Sequence, residues 1–382
     1  MQRFSPLLVL CIAAFFLMIG VGMIVSLLPQ KVFAATGSLE SVGLIASVFA
    51  LAYFVAQLPV GMLADRFGAK RLLVAGYTLC GLAGLVFLAA QDAGAVFAGR
   101  LIQGIGEAPI WALGPAALSV AYSHQKGRVI GIYNATIHAG LTVGPLATLV
   151  IAADARATVP FALFAGLCLA AAVFLAVFLR RAQPVPSSTT ASNPLASLKT
   201  ALATRSAGTV LAGVFLYGAG YGVFISVLPV TMTLNNGFNP STVAILFTLF
   251  YAGISLSQIV AGPLSDRIGR WRVMIAGMAA AALGFALLPF VPGLIAFGPL
   301  AFASLGLGVY CVASIAALAD AVPDHARGTV SGAYYLFWGF GYFAGPMAVG
   351  ALAADWSVYA YLALSAAMAA QVAVSAVVRS QR

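Results

Sequence analysis

Arg100, Gln103 and Glu107 stand at i, i+3 and i+7 inside an otherwise apolar run, 95–118, so a helix there projects all three from one face. A charged side chain at the centre of a bilayer costs ~2.5 kcal/mol or more and is kept only where it meets a cavity or a partner. Glu107 falls near the middle of its run and Arg100 in the outer third; Asp320 ends a different run, just before a loop. A desolvated carboxylate holds its proton more tightly, and a nearby arginine loosens that hold. This opposition is what a proton site that loads and unloads requires. Three readings of the trio stay open: proton carrier, recognition of charge on a solute, and a static Arg100–Glu107 pair. The separation of seven residues, ~10 Å along a helix axis, argues against direct contact.

His138 lies at similar depth in another apolar run, with Asn134 one turn before it. A neutral imidazole there relays protons, recognises a solute, or is simply a satisfied structural donor. His124 and His325 fall in loops and read as solvated. Tyr217 and Tyr221 share one apolar run, Tyr334 and Trp338 another, and Trp111 follows Glu107 by one turn. An aromatic, mostly uncharged cavity built from such residues suits a lipophilic or amphipathic solute better than a multiply charged anion. Packing and lipid contact account for many aromatics of this kind. The four cysteines, Cys11, Cys80, Cys168 and Cys311, sit in separate apolar runs without disulfide or metal spacing. No metal site and no cofactor is expected.

These residues need elements that hold them in lipid. Charged residues are 7% of the chain and apolar residues 62%, a balance foreign to soluble domains. Crossing a ~30 Å hydrocarbon core takes ~20 residues of helix. Twelve runs meet that need: 7–29, 42–62, 72–90, 95–118, 129–152, 159–180, 207–230, 241–263, 273–291, 295–319, 329–351 and 357–378. Backbone polar groups in lipid must be satisfied internally, so the runs are helices. They are too long and too continuous for the alternating strands of a barrel.

The net charge of +10 has a topological explanation. Arg66, Lys70, Arg71, Lys126 and Arg128 in the first half, and Arg267, Arg270, Arg272 and Arg327 in the second, all fall in alternate loops, whereas the opposite loops carry Lys31 and Arg156 against Glu40, Asp92, Asp154 and Asp355. The positive-inside rule then puts both termini in the cytoplasm. No nucleic-acid partner is expected. The first apolar run is too long for the core of a cleaved leader, and its pattern has an internal copy. The polar Pro/Ser/Thr-rich stretch from Arg180 to Pro194 reads as part of a linker, followed by an amphipathic piece from Leu195 to Arg205. Three regions result: a bundle over 1–180, a cytoplasmic linker over 181–206 and a bundle over 207–382.

The two bundles are copies. Gly61, Asp65, Arg66 and Gly68 return as Gly262, Asp266, Arg267 and Gly269, 201 residues on, and Gly140-x-x-x-Gly144-Pro145 returns as Gly341-x-x-x-Gly345-Pro346 in the same register. Gly20-x-Gly22-x3-Ser26-x2-Pro29 returns as Gly220-x-Gly222-x3-Ser226-x2-Pro229, 200 residues on. With six helices each, both copies enter the membrane from the same side and are related by an axis along its normal.

The loop Gly61-x-Leu63-x-Asp65-Arg66-x-Gly68-x-Lys70-Arg71 resembles the signature loop of the major facilitator superfamily. Arg100-x-x-Gln103-Gly104-x-Gly106 resembles the motif of its proton-coupled members, and Gly140-x-x-x-Gly144-Pro145 that of its drug:proton antiporters. Antiporters of this kind usually continue with two further glycines, where Thr148 and Leu149 stand here, so the direction of transport is less fixed than the fold. The resemblance implies an all-α integral membrane protein with twelve transmembrane helices in two pseudo-symmetric six-helix bundles, and a cavity lined by helices 1, 4, 7 and 10. It also implies a switching latch in the Asp65 and Asp266 loops. From the residues, Gly61 and Gly262 are expected to let helices approach closely, and the two carboxylates to accept from a facing helix N-terminus. The competing reading is that these charges only fix topology.

The expected protein is a secondary transporter working by alternating access, acting as a monomer in a bacterial-type inner membrane. The favoured activity is proton-coupled export of a small lipophilic or amphipathic compound, with Glu107, Arg100 and His138 in coupling. Gln103, Trp111, Asn134, Tyr217, Tyr221, Tyr334 and Trp338 are the candidates for the solute cavity. Proton-driven or facilitated uptake of a metabolite is the alternative, and a non-transporting scaffold or sensor the remote one. A membrane enzyme is not expected, because no metal cluster, nucleophile–base pair or phosphate loop occurs.

Overall fold

The computed structural model describes residues 4–122, 126–151, 158–179, 205–320 and 327–381. The residues it describes are overwhelmingly helical, without strands. In chain order the helices are α1 (Pro6–Val25), α2 (Leu28–Thr36), α3 (Leu39–Phe67), α4 (Ala69–Ala89), α5 (Ala93–Ala121), α6 (Lys126–Ile151) and α7 (Val159–Phe178). There follow α8 (Arg205–Ile225), α9 (Val227–Asn236), α10 (Pro240–Ile268), α11 (Arg270–Leu287), α12 (Phe297–Asp320) and the helical run α13 (Arg327–Ser380). Most of the stretch from Arg180 to Arg205, like His124 and His325, lies outside the described residues; Arg205 already opens α8.

Among the described residues, eleven spans are long and apolar enough to cross a membrane. The twelfth expected from the sequence is α5, whose 29 residues suffice in length but whose apolarity is diluted by Arg100, Gln103 and Glu107. The first span is longer than expected. It runs from Pro6 to Thr36 with its helical bonding interrupted at Ser26 and Leu27, just before Pro29, which cannot donate a backbone N–H. The copy breaks in the same way at Ser226, before Pro229. Gly37 and Gly237 close both elements in the left-handed region, at φ 65° and 69°.

Two compact units result. One comprises Met1–Gly37, Val48–Thr190 and Pro240–Thr248; the other comprises Ser38–Ser47, Ala191–Asn239 and Leu249–Arg382. In the first, α1 packs on α6 and α7, and α4 on α5 and α7. In the second, α8 and α11 both pack on α13, and α11 also packs on α12. α13 carries two spans, Ala333–Ala353 and Val358–Ser380. The first runs parallel to α8, with Gly341 at Phe215 and Gly345 at Ala219, and the second antiparallel, with Gln371 at Thr209 and Gln381 at Arg205. The chain therefore reverses direction between them.

The duplicated glycine–proline faces make tight seams in both units. A Cβ on Gly144 would meet the Gly22 Cα at 2.7 Å, and one on Gly140 the Phe15 carbonyl oxygen at 2.9 Å. A Cβ on Gly22 would in turn lie 2.9 Å from Pro145 Cδ. In the second unit a Cβ on Gly345 would lie 2.5 Å from the Ala219 Cα, one on Gly222 would lie 2.7 Å from Pro346 Cγ, and one on Gly341 would run into the Phe215 carbonyl. These neighbours are mostly backbone and cannot turn aside, so small residues set the helix spacing. Gly345→Val is expected to cost ~1–3 kcal/mol, as overpacking does. The check is a thermal melt of the purified variant in detergent, which should fall by several degrees; an unchanged melt would show that the seam yields. Leu51, Val55, Val173, Val177, Ile259 and Val260 are exposed apolar side chains.

Candidate functional site

Helix α5 starts where Asp92 accepts a hydrogen bond from the Ala95 N–H at 2.9 Å. Two glycines then bring its neighbours close. A Cβ on Gly104 would lie 2.6 Å from the Phe49 carbonyl oxygen of α3, and one on Gly106 would lie 2.8 Å from the Gly76 carbonyl oxygen of α4. With helices this near, the polar face of α5 is shut away: Arg100 is 5% exposed, Gln103 0% and Glu107 4%.

The face is wired in one direction. Arg100 Nη1 donates to Gln103 Oε1 at 3.0 Å, and Gln103 Nε2 donates to Glu107 Oε1 at 2.9 Å. Trp111 Nε1 donates to Glu107 Oε2 at 3.0 Å. The guanidinium carbon of Arg100 also sits 4.6 Å from the centre of the Phe49 ring, a cation–π contact worth up to ~2 kcal/mol when desolvated. Among the described residues no ion pair joins Arg100 to Glu107: the Gln103 amide stands between them. The static pair is thus replaced by a relay. Hydrogen bonds to a charged group are worth ~1.5–3 kcal/mol each, and burial of an unpaired carboxylate costs more. The arrangement accommodates an ionised Glu107 without a direct counter-charge.

Helical periodicity puts the three side chains on one face without giving their contacts. Trp111, expected as a cavity aromatic, stands four residues from Glu107, a spacing that puts its indole within reach of the carboxylate. Phe49 comes from another helix and left no signal. His138 and Asn134 share a face of α6, and neither joins the relay among the described residues. His138 is half-buried, with its carbonyl accepting from Thr142 Oγ1 at 2.9 Å, and Asn134 is exposed.

The second unit holds an aromatic cluster. Tyr221 has its ring centroid 6.2 Å from Tyr217, 5.2 Å from Phe250 and 5.9 Å from Trp338, and Trp338 lies 5.1 Å from Tyr342. Tyr217 is buried, Tyr221 and Trp338 only half so. Among the described residues the Trp338 indole nitrogen is the one buried side-chain polar atom with no hydrogen-bond partner. Tyr334 is directed elsewhere, its hydroxyl 3.4 Å from both Ser314 Oγ and the Cys311 carbonyl oxygen. The cysteines are free, and among the described residues no cluster of His, Cys, Asp and Glu could hold a metal.

The duplicated loops differ from expectation in two respects. Gly262 has room to spare, since a Cβ there would find its nearest neighbour, Val312 Cγ1, 3.9 Å away. It therefore does not mark a close helix approach. Asp266 meets a side chain rather than a helix N-terminus. It pairs with Arg270 one turn on, while Arg270 Nε donates to Asp320 at 3.1 Å and Nη1 to Ser265 Oγ at 2.9 Å. The spacing of four residues makes that pair the nearer partner. Arg66 and Arg267 are exposed, and the Asp65 side chain and the Gly61 surroundings lie outside the described residues. Gly68 and Gly269 open α4 and α11 at φ 83° and 99°, where a side chain would be strained.

Comparison with known proteins follows the same lines. The family model of the Major Facilitator Superfamily matches residues 10–209 and again 210–381. The class C tetracycline resistance protein of Escherichia coli is 26% identical over 361 residues, covering 90% of this chain and 89% of that protein. Quinolone resistance protein NorA of Staphylococcus aureus is 28% identical over 145 residues, 37% of each chain. In fold, the nucleoside transporter NupG superposes with a TM-score of 0.79 at 16% identity, covering 98% of this chain and 99% of that one. PepTSo, a POT family transporter, superposes with a TM-score of 0.80 at 13% identity, covering 98% of both. At these identities the two structures speak for the fold alone.

Proposed function

The chain belongs to the Major Facilitator Superfamily, and from that premise we propose that it exports a small lipophilic or amphipathic compound in exchange for protons taken up on Glu107. Its class is that of a secondary transporter in a membrane, rather than an enzyme. The observation that carries the proton reading is the buried Glu107 carboxylate, held by one donor on each oxygen and separated from Arg100 by Gln103. A group held this way exchanges a proton by rearranging hydrogen bonds, without first breaking a buried ion pair. Export is supported by the tetracycline resistance protein, whose similarity spans nearly the whole chain. A solute with apolar rings is supported by the half-buried Tyr221 and Trp338 beside Tyr342 and Phe250.

The test is transport into proteoliposomes under an imposed pH gradient, with tetracycline, a quinolone, puromycin and a nucleoside as probes. Gradient-dependent movement of one of the drugs is expected. Movement of the nucleoside alone, indifferent to the gradient, would replace this reading with facilitated uptake. That second reading has one observation in its favour: Thr148 fills a position where antiporters carry glycine, and its hydroxyl is buried at 3.2 Å from the Gly144 carbonyl oxygen.

The Asp266 loop is read as a latch through its contacts with Arg270, and through them with Asp320 at the end of α12. Exposed pairs of this kind contribute little to folding, ~0–1 kcal/mol. Asp266→Asn should therefore lower the transport rate while the melting temperature of the purified protein stays within a few degrees. Transport at the wild-type rate would leave the pair with a purely topological role.

A further inference from the structure

The orientation of the Gln103 amide is fixed by its neighbours. With Oε1 toward Arg100 and Nε2 toward Glu107, both contacts are donor to acceptor; a flipped amide would set donor against guanidinium and oxygen against carboxylate. Because Gln103 is fully buried, water cannot repair a flip. Both groups facing Glu107, the Gln103 amide N–H and the Trp111 indole N–H, are donors, which suits a carboxylate better than a carboxylic acid. A proton on either oxygen occupies one of its lone pairs and removes the negative charge that strengthens both hydrogen bonds, so both contacts weaken. The less anchored contact yields first. Gln103 is anchored on its far side by Arg100, and Arg100 by the Phe49 ring. Trp111, by contrast, is 36% exposed and has no such anchor among the described residues.

We propose that Trp111 is a positioning residue that carries the proton state of Glu107 outward: the ionised carboxylate holds the indole, and protonation releases it. The proposal rests on Glu107 as the proton site and adds the part that moves with it. By linkage, whatever favours the held indole favours the ionised carboxylate, and whatever favours the free indole favours proton uptake. Other titratable groups within electrostatic reach of Glu107 are Tyr77 and Cys80 on α4, Cys168 on α7 and Arg100 on its own helix. On α6, Tyr133 packs at Gly114, one turn past Trp111 from the carboxylate. The phenols and thiols ordinarily titrate well above neutrality; His138 on α6 is the group that ordinarily titrates near it, and the Glu107→Gln variant separates its titration from that of Glu107.

The experiment is nuclear magnetic resonance of the full-length protein in detergent, labelled with 15N at the tryptophan indoles. Trp271→Phe, Trp338→Phe and Trp356→Phe assign the other three signals. The Trp111 indole resonance is expected to shift sigmoidally across a pH titration over the range in which the protein stays folded, and to lose that dependence in Glu107→Gln. Should Glu107→Gln fail to fold, Glu107→Asp, with its carboxylate one methylene short of the indole, is expected to hold the resonance at its released position at high pH. A Trp111 resonance constant over this range, or one that still titrates in Glu107→Gln, overturns the proposal. Failure here is separable from failure of the proton-carrier reading, which falls only if proton-driven transport survives in Glu107→Gln.

Discussion

Glu107→Gln is expected to reduce drug accumulation driven by a pH gradient to the level of passive leak, while the protein folds and still exchanges drug for drug. Glutamine keeps the shape of the protonated side chain and removes the charge that must alternate. Its amide oxygen still accepts from Gln103 or from Trp111, so the local packing survives. Two states of a transporter shift only under a ligand that distinguishes them, and a residue that cannot release a proton no longer makes that distinction. Counterflow of labelled against unlabelled drug needs no net proton movement and should persist. Uptake and counterflow measured on one preparation separate loss of coupling from loss of fold. If both vanish together while the protein remains monodisperse, Glu107 binds the solute instead of the proton.

Arg100→Lys should cost at least about tenfold in transport rate, the equivalent of ~1.4 kcal/mol, although the charge is kept. The guanidinium does two things at once. Its plane covers the Phe49 ring, and one of its nitrogens reaches Gln103 Oε1. An ammonium is a compact point charge with a strongly held hydration shell, and it cannot meet both demands from a buried position. Rates for the wild type, Arg100→Lys and Arg100→Gln in the same vesicles make the check. Lysine activity equal to wild type would mean that charge alone matters at this position.

Much of this architecture is legible in the residues because it is repeated. Gly140, Gly144 and Pro145 and their copies Gly341, Gly345 and Pro346 are read as packing faces from the motif. They pack on Gly22 and Ala219, the latter beside Gly220 and Gly222, in the two units. The shared face of Arg100, Gln103 and Glu107 follows from helical periodicity alone. What periodicity does not supply is rotamers and partners from other helices. It gave no means of seeing that Gln103 would bridge the arginine and the glutamate, or that Phe49 would cover the guanidinium. At Gly262 the residue type suggests a close approach, but the neighbouring helix stands off. At Asp266 the partner is Arg270, four residues on and visible in the sequence, in place of a facing helix end.

The central claim is that drug and proton move against each other through Glu107. It is tested most directly by proton flux in proteoliposomes loaded with a pH-sensitive dye, with tetracycline, a quinolone and puromycin added in turn and no gradient imposed. The account predicts that at least one drug, moving down its own gradient, drives protons in the opposite direction in the wild type, and that the same drug moves none in Glu107→Gln. Drug movement in the wild type without any accompanying change in internal pH would contradict it.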